Sequence, residues 1–269
     1  MCPPFLFGNR PGCHAMQLWT YVQWMIEMAH LENRPLAGVT ADIQKAFNHI
    51  PREVLFHACL VIGMPAGVLR GWAGALSNIQ RRFQIREATS PPLFSVTGCP
   101  EGCSMSCVGM LVMDILFHRW VSVQHPLEYP LSYVDDWQIL TYDPSRICSI
   151  LDSLEAFTKH VDLQLDSKKT FAWSTCGASR KALKQQGVPL QAQAKSLGAQ
   201  MQFTRRHAAK VLTGRLEELQ PLWPRLRRSL SPYMSKFVQL LPQHGPKASM
   251  ELQPPASVFL NSRLLGQVR

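Results

Sequence analysis

The sequence has no Cys-x-x-Cys pair, no internal repeat, few charged residues and no apolar stretch of membrane-spanning length. Only 17% of its 269 residues are charged while 46% are hydrophobic, which excludes a disordered chain and leaves enough apolar material for a sizeable core. The longest largely apolar run, residues 105–113, is far shorter than the roughly 20 residues a helix needs to cross a bilayer. Met1-Cys2-Pro3-Pro4 has neither the basic start nor the apolar stretch of a signal peptide, and no basic amphipathic anchor stands out. An intracellular, soluble protein without a membrane partner is expected, in nucleus or cytoplasm. Eight cysteines stand at positions 2, 13, 59, 99, 103, 107, 148 and 176. Cys99, Cys103 and Cys107 are spaced for one face of a helix. No His lies near them at finger-like spacing, so reduced core thiols are expected, with a Cys₃ zinc or redox site as the rival.

Acid is the scarcer charge, and its shortage is uneven. Residues 1–136 hold 9 Lys/Arg against 10 Asp/Glu, and residues 137–269 hold 19 against 8, so a net −1 is followed by +11. The positive excess points to a polyanionic partner at the C-terminal end. Arg205, Arg206, Lys210 and Arg215 open the basic stretch that reaches Arg228. A solvated helix face is its bland explanation, and a nucleic-acid contact the functional one.

What is there centres on Tyr133-Val134-Asp135-Asp136. Leu131 to Val134 and Trp137 to Tyr142 have the pattern of short strands, so two adjacent acids fall at the tip of a hairpin. Leu36 to Thr40 is a second apolar strand, and it runs into Asp42. Around these, helices are expected over His14 to Asn33, with Met16, Trp19, Val22, Met25, Ile26 and Ala29 near one face, then from Pro51 to about Gly63 and from Pro65 to about Ser77. Arg81 to Arg86 alternates like a strand, to pair with Leu93 to Thr97 across Ser90-Pro91-Pro92. A helix after the Gly98 turn reaches about Trp120, another covers Pro144 to Val161, and Leu163 to Trp173 is a turn and strand. Short pieces at Val188 to Leu190 and Ser196 to Phe203 form a small hairpin. A helical stretch runs from Arg205 to about Leu241, and a loose tail follows.

If the strand ending at Asp42 lies beside the acidic hairpin, three carboxylates meet at one spot. They cannot all stay ionised without cations. Oxygen-only ligands select Mg²⁺ or Mn²⁺, and two such ions roughly 3.5–4 Å apart serve phosphoryl transfer. Residue chemistry alone therefore reaches metal-dependent phosphoryl chemistry on nucleic acid.

Several segments together resemble the palm of a reverse transcriptase, most like those of non-LTR retrotransposons. Asp42 with Lys45-Ala46-Phe47 resembles the first catalytic motif, and Gly98 to Ser106 the loop that turns into a helix under nucleotide and template. Tyr133 to Asp136 resembles the Tyr-x-Asp-Asp signature, Leu163 to Thr170 the Lys-Thr motif, and Ser196-Leu197-Gly198 the primer-grip turn. Phe7 to Gly12 resembles the Gly-x-x-Pro-Gly segment of the fingers. The order and spacing of these pieces over about residues 5–205 carry the likeness.

The resemblance implies an RNA-directed DNA polymerase with an α+β fold: an antiparallel sheet carrying the acids, and helices over its other face. It implies partial fingers at 1–33, a palm at 34–204, a helical thumb-like segment at 205–241 and a tail at 242–269. Asp42, Asp135 and Asp136, with the Ile43 carbonyl, would bind two Mg²⁺ or Mn²⁺ ions. Phe47 would be the steric gate against a 2′-hydroxyl, and Lys169 an acid for the departing pyrophosphate. Glu101, Gly102 and Tyr133 would line the nucleotide site, and the basic stretch from Arg205 would hold nucleic acid. Implied partners are an RNA template, a DNA primer and deoxynucleoside triphosphates.

Glu101 departs from the family's usual Gln: an ionised carboxylate only accepts, and a triphosphate nearby would repel it. The chain also begins inside the fingers and carries no endonuclease or ribonuclease H segment, which points to an N-terminally truncated element. Three rivals stay open: an RNA-templated RNA polymerase, which Tyr133 and Phe47 oppose, an inactive remnant that only binds nucleic acid, and the cysteine site.

Overall fold

One strand in the middle of a four-stranded antiparallel sheet positions everything else. The computed structural model describes residues 3–196, 199–204 and 217, and the elements named below all fall in the first of two units of the chain, residues 1–214. In chain order the helices are α1 (Ala15–Leu31), α2 (Ala46–His49), α3 (Arg52–Val61), α4 (Ala66–Ser77), α5 (Ser104–Gln124), α6 (Ile147–His160) and α7 (Gly177–Gln185). The strands are β1 (Ala37–Asp42), β2 (Gln80–Arg81), β3 (Gln84–Ile85), β4 (Ala88–Thr89), β5 (Leu93–Phe94), β6 (Tyr129–Tyr133), β7 (Asp136–Thr141), β8 (Phe171–Ser174), β9 (Gln193–Ser196) and β10 (Ala199–Gln202).

The sheet order is β6-β7-β1-β8, so β1 is paired on both edges. It can be central because it carries small and β-branched residues, Ala37 to Ala41, all buried. Side chains alternate between two cores. Val39, Ala41, Trp137 and Ile139 join α3, α5 and α6 on one side, where Phe117 stacks on Trp137 at 4.4 Å. Leu36, Leu131, Leu140 and Trp173 face α1 and the β9–β10 hairpin on the other. Helical cover thus lies on both faces of the sheet, where a single covered face was expected.

α1 buries Leu18, Val22, Met25, Ile26 and Ala29 at helical spacing. Leu18 takes the inward place expected of Met16, which is 61% exposed. α5 is 21 residues long with mean hydropathy 1.3, so by length and composition it passes the test for a membrane span that residues 105–113 alone failed. Half of that stretch is buried inside the fold, around Met110, Met113 and Phe117. α5 starts only at Ser104, which leaves buried Cys99 in the loop, Cys103 at the cap and exposed Cys107 on the helix. These three do not share the helix face expected of them.

The segment 80–94 folds back earlier than expected. Ile85 pairs with Ala88, and only Gln80 and Arg81 pair with Leu93 and Phe94. Pro91 and Pro92 have no N–H to continue a ladder, so the hairpin breaks into two short pieces. Ser90 closes the gap with its N–H on the Phe83 carbonyl at 2.8 Å and its Oγ on the Phe83 N–H at 2.9 Å. Further on, the expected hairpin between Val188–Leu190 and Ser196–Phe203 does not form: β9 pairs with β10, so Ser196 lies in the first arm, and Leu190 bridges to Ala172 of the sheet.

Candidate active site

The acids lie at one rim of the sheet, where β1 ends and β7 begins. Asp42 stands directly opposite Asp136 in the β1–β7 register, and Tyr133 directly opposite Asp136 in the β6–β7 register. Residues opposed in this way point to the same face, and like charges so placed destabilise a sheet. The hairpin closes through two residues, Val134 and Asp135. Val134 has φ 59°, a left-handed conformation costly for a β-branched residue and the kind of strain that functional sites retain. Phe5, Leu6 and Phe7 flank Ser132 in parallel, with the Phe7 N–H donating to the Ser132 carbonyl at 2.9 Å. This lays Gly8 against the tip, where a Cβ would stand 2.3 Å from the Val134 nitrogen.

The carboxylates are electrostatically coupled. Burial pushes Asp136 up to about 6, with Asp135 and Asp42 adding to the rise and Lys169 opposing it. Burial also raises Asp135, its own backbone N–H lowers it, Asp42 raises it and Lys169 lowers it. Lys169 Nζ donates to Asp42 Oδ2 and lies 4.0 Å from Asp166 Oδ2. That hydrogen bond, and then the charge of Asp42, raise the lysine. Beneath the tip, fully buried Asp114 accepts from Trp137 Nε1 at 2.8 Å, and burial holds its carboxyl well above the usual carboxylate range.

The loop after α6 returns to the end of β1. The Asp166 N–H donates to the Asp42 carbonyl at 2.9 Å, and the Gln44 N–H to the Gln164 carbonyl at 2.8 Å. These two bonds close the bridge between Ile43 and Leu165, in which the Ile43 carbonyl takes no part. The same loop brings Lys169 to Asp42, more than a hundred residues earlier in the chain.

The fold thus brings Asp42, Ile43, Asp135, Asp136, Tyr133 and Lys169 to one rim of the sheet. The three acids do not, however, form the closed ligand set expected: among the described residues no three His, Cys, Asp or Glu side chains are grouped to hold a metal ion. The Lys169 ammonium engages Asp42 instead. Carboxylate oxygens as the only donors still suit a hard divalent cation.

Phe47, on α2, packs half-buried at the edge of the first core cluster. Gly102, exposed with φ 82°, and exposed Glu101 lie in the loop before α5. Asn48 Nδ2 donates to Glu101 Oε1 at 2.6 Å, and Arg81 Nη1 donates to Asn48 Oδ1 at 3.1 Å. Asn48 and Arg81 were not singled out by spacing or pattern, because they meet Glu101 only in three dimensions. Arg205, Arg206, Lys210 and Arg215 lie outside the described residues, as do Leu197 and Gly198 of the turn that resembles the primer grip.

An antiparallel sheet with opposed acids at its rim, backed by long helices, defines a polymerase-type α+β fold. The chain belongs to the reverse transcriptase (RNA-dependent DNA polymerase) family, which it matches over residues 1–212. No curated protein matches it. Among solved structures it is similar to telomerase from Candida tropicalis in complex with a fragment of telomeric RNA, at TM-score 0.50 and 8% identity, over 63% of this chain and 30% of that one. Apo telomerase from the same organism gives TM-score 0.48 and 11% identity over 68% and 35% of the two chains. The chain thus spans about a third of the length of these telomerases.

Proposed function

We propose that this chain is the palm and adjoining parts of an RNA-directed DNA polymerase of the non-LTR type, which extends a DNA primer on an RNA template with deoxynucleoside triphosphates. The observation that carries the reading is the direct opposition of Asp42 and Asp136 beside Asp135, an arrangement that costs stability unless it serves a cation. Asp42, Asp135, Asp136 and the Ile43 carbonyl would hold two Mg²⁺ or Mn²⁺ ions. Bound there, such ions lower the pKa of a primer hydroxyl and neutralise phosphate charge. The chain's own part is alignment: the acids would fix where the ions sit, and Phe47 would limit room under the sugar. Lys169, an ammonium beside the acids, would give a proton to the departing pyrophosphate, a reading its contact with Asp42 supports. The basic run from Arg205 would hold the duplex backbone.

Magnesium-dependent extension of oligo(dT) on poly(rA) tests this. Wild type should incorporate thymidylate, and Asp135→Ala should lose at least about a hundredfold in rate. The rival, an inactive nucleic-acid-binding remnant, is favoured by one observation: the Lys169 ammonium already engages Asp42. Template binding by wild type without any extension would establish it.

A further inference from the structure

The loop carrying Glu101 is stitched to the segment carrying Phe47. The Cys99 N–H donates to the Phe47 carbonyl at 2.7 Å, and the Gly98 N–H to the Ile50 carbonyl at 2.9 Å. Gly98, at φ 73°, allows this approach, since a Cβ there would stand 2.2 Å from the Asn48 carbonyl oxygen. Arg52 clamps the same loop, with Nε on the Gly98 carbonyl at 2.8 Å and Nη2 on the Thr97 carbonyl at 3.2 Å.

Onto this frame is built a three-residue chain. Arg81 only donates, so its contact fixes the Asn48 amide with the oxygen toward Arg81 and the NH₂ toward residue 101. Residue 101 must then accept, which a carboxylate does without any choice of orientation. The guanidinium, one amide away, offsets the acid's charge.

We propose that Asn48 and Arg81 are positioning residues of the nucleotide pocket. They hold Glu101 against the residue next to Phe47, so the acid serves the protein instead of facing a triphosphate. The setting of Phe47, and with it the preference for deoxyribose over ribose, then depends on all three. This inference rests on the reading of the site as a nucleotide pocket.

The full chain is titrated with dATP and with ATP in Mg²⁺, and the ratio of the two affinities is compared among wild type, Glu101→Ala, Arg81→Met, Asn48→Asp and Asn48→Asp/Glu101→Gln. Melting temperatures are taken for the same set. Glu101→Ala and Arg81→Met should lower the deoxy preference about five- to tenfold, as expected for loss of a charged hydrogen bond. Asn48→Asp sets two carboxylates together and should lower both the preference and the melting temperature. Asn48→Asp/Glu101→Gln restores a donor–acceptor pair and should recover both, which a merely structural role for Glu101 would not do for the ratio. If wild type prefers dATP and neither Glu101→Ala nor Arg81→Met changes the ratio, or if the double variant recovers nothing, this inference is overturned alone. If wild type binds neither nucleotide, the pocket reading falls and takes the inference with it.

Discussion

At the scale of single residues, the site sits on groups whose protonation is set by burial. His118, 2% exposed, lies with Nε2 3.0 Å from Ser132 Oγ, directly under the acidic hairpin, and burial pushes its pKa down to about 4. The neutral ring is the folded form. Its contribution to stability is therefore complete above the unfolded value of 6.5 and lost as pH falls through about 4. A shift of that size corresponds to a ceiling of about 3 kcal/mol. His118→Gln, which keeps hydrogen-bonding capacity but cannot gain a charge, should flatten the acid limb of the stability profile between those limits. Parallel denaturation midpoints for wild type and variant across that range would show that His118 is not responsible. Asp135 and Asp136 were legible in the sequence because two adjacent acids between short apolar runs admit few explanations. Asn48, Arg81 and Asp114 were not. Arg81 lies 33 residues from Asn48, Glu101 lies 53 from it, and Asp114 sits within an apolar helix where a buried acid leaves no periodic mark.

At the scale of elements, the N-terminal segment acts as a brace for the acidic turn. Gly8→Ala would force its new Cβ into the Val134 backbone, which must shift and carry Asp135 with it. The variant should lose about 1–3 kcal/mol in urea denaturation and a larger share of primer extension than that loss explains. Wild-type extension together with wild-type stability would sink this brace. The elements best read from sequence were those with a strong period or a buried run: α1, α3, α4, α6, β1 and the β6–β7 hairpin. α7 was missed because among GASRKALKQ only Leu183 is buried, which leaves no repeat to detect. The turn of the 80–94 hairpin is not legible in its sequence, because Pro91 and Pro92 have the pattern of a bend but break the ladder instead.

At the scale of the molecule, the sheet concentrates negative charge at one rim of a chain whose net charge is +10. Divalent cations should therefore act as ligands that stabilise the fold. About 10 mM Mg²⁺ binding at about 1 mM would add roughly 1.4 kcal/mol, a rise of about 2–4 °C in melting temperature. Asp42→Asn and Asp136→Asn should abolish that rise, and an equal rise in all three proteins would place the ion elsewhere. The α+β class followed from the mixture of patterns, and the family likeness supplied the rest. Strand order was not readable, because which strand lies between which others is decided by packing on two faces, and no local pattern encodes it.

The position of β1 has a consequence for how the chain comes into being. Its partners β7 and β8 are made about a hundred and more residues later during synthesis. Until the ribosome has delivered Ser174, this most buried segment has at least one bare edge open to stray pairing. Asp42 can stand opposite Asp136 only once β7 has been made, so a chain interrupted before Thr141 carries β1 with both edges bare and no opposed acids.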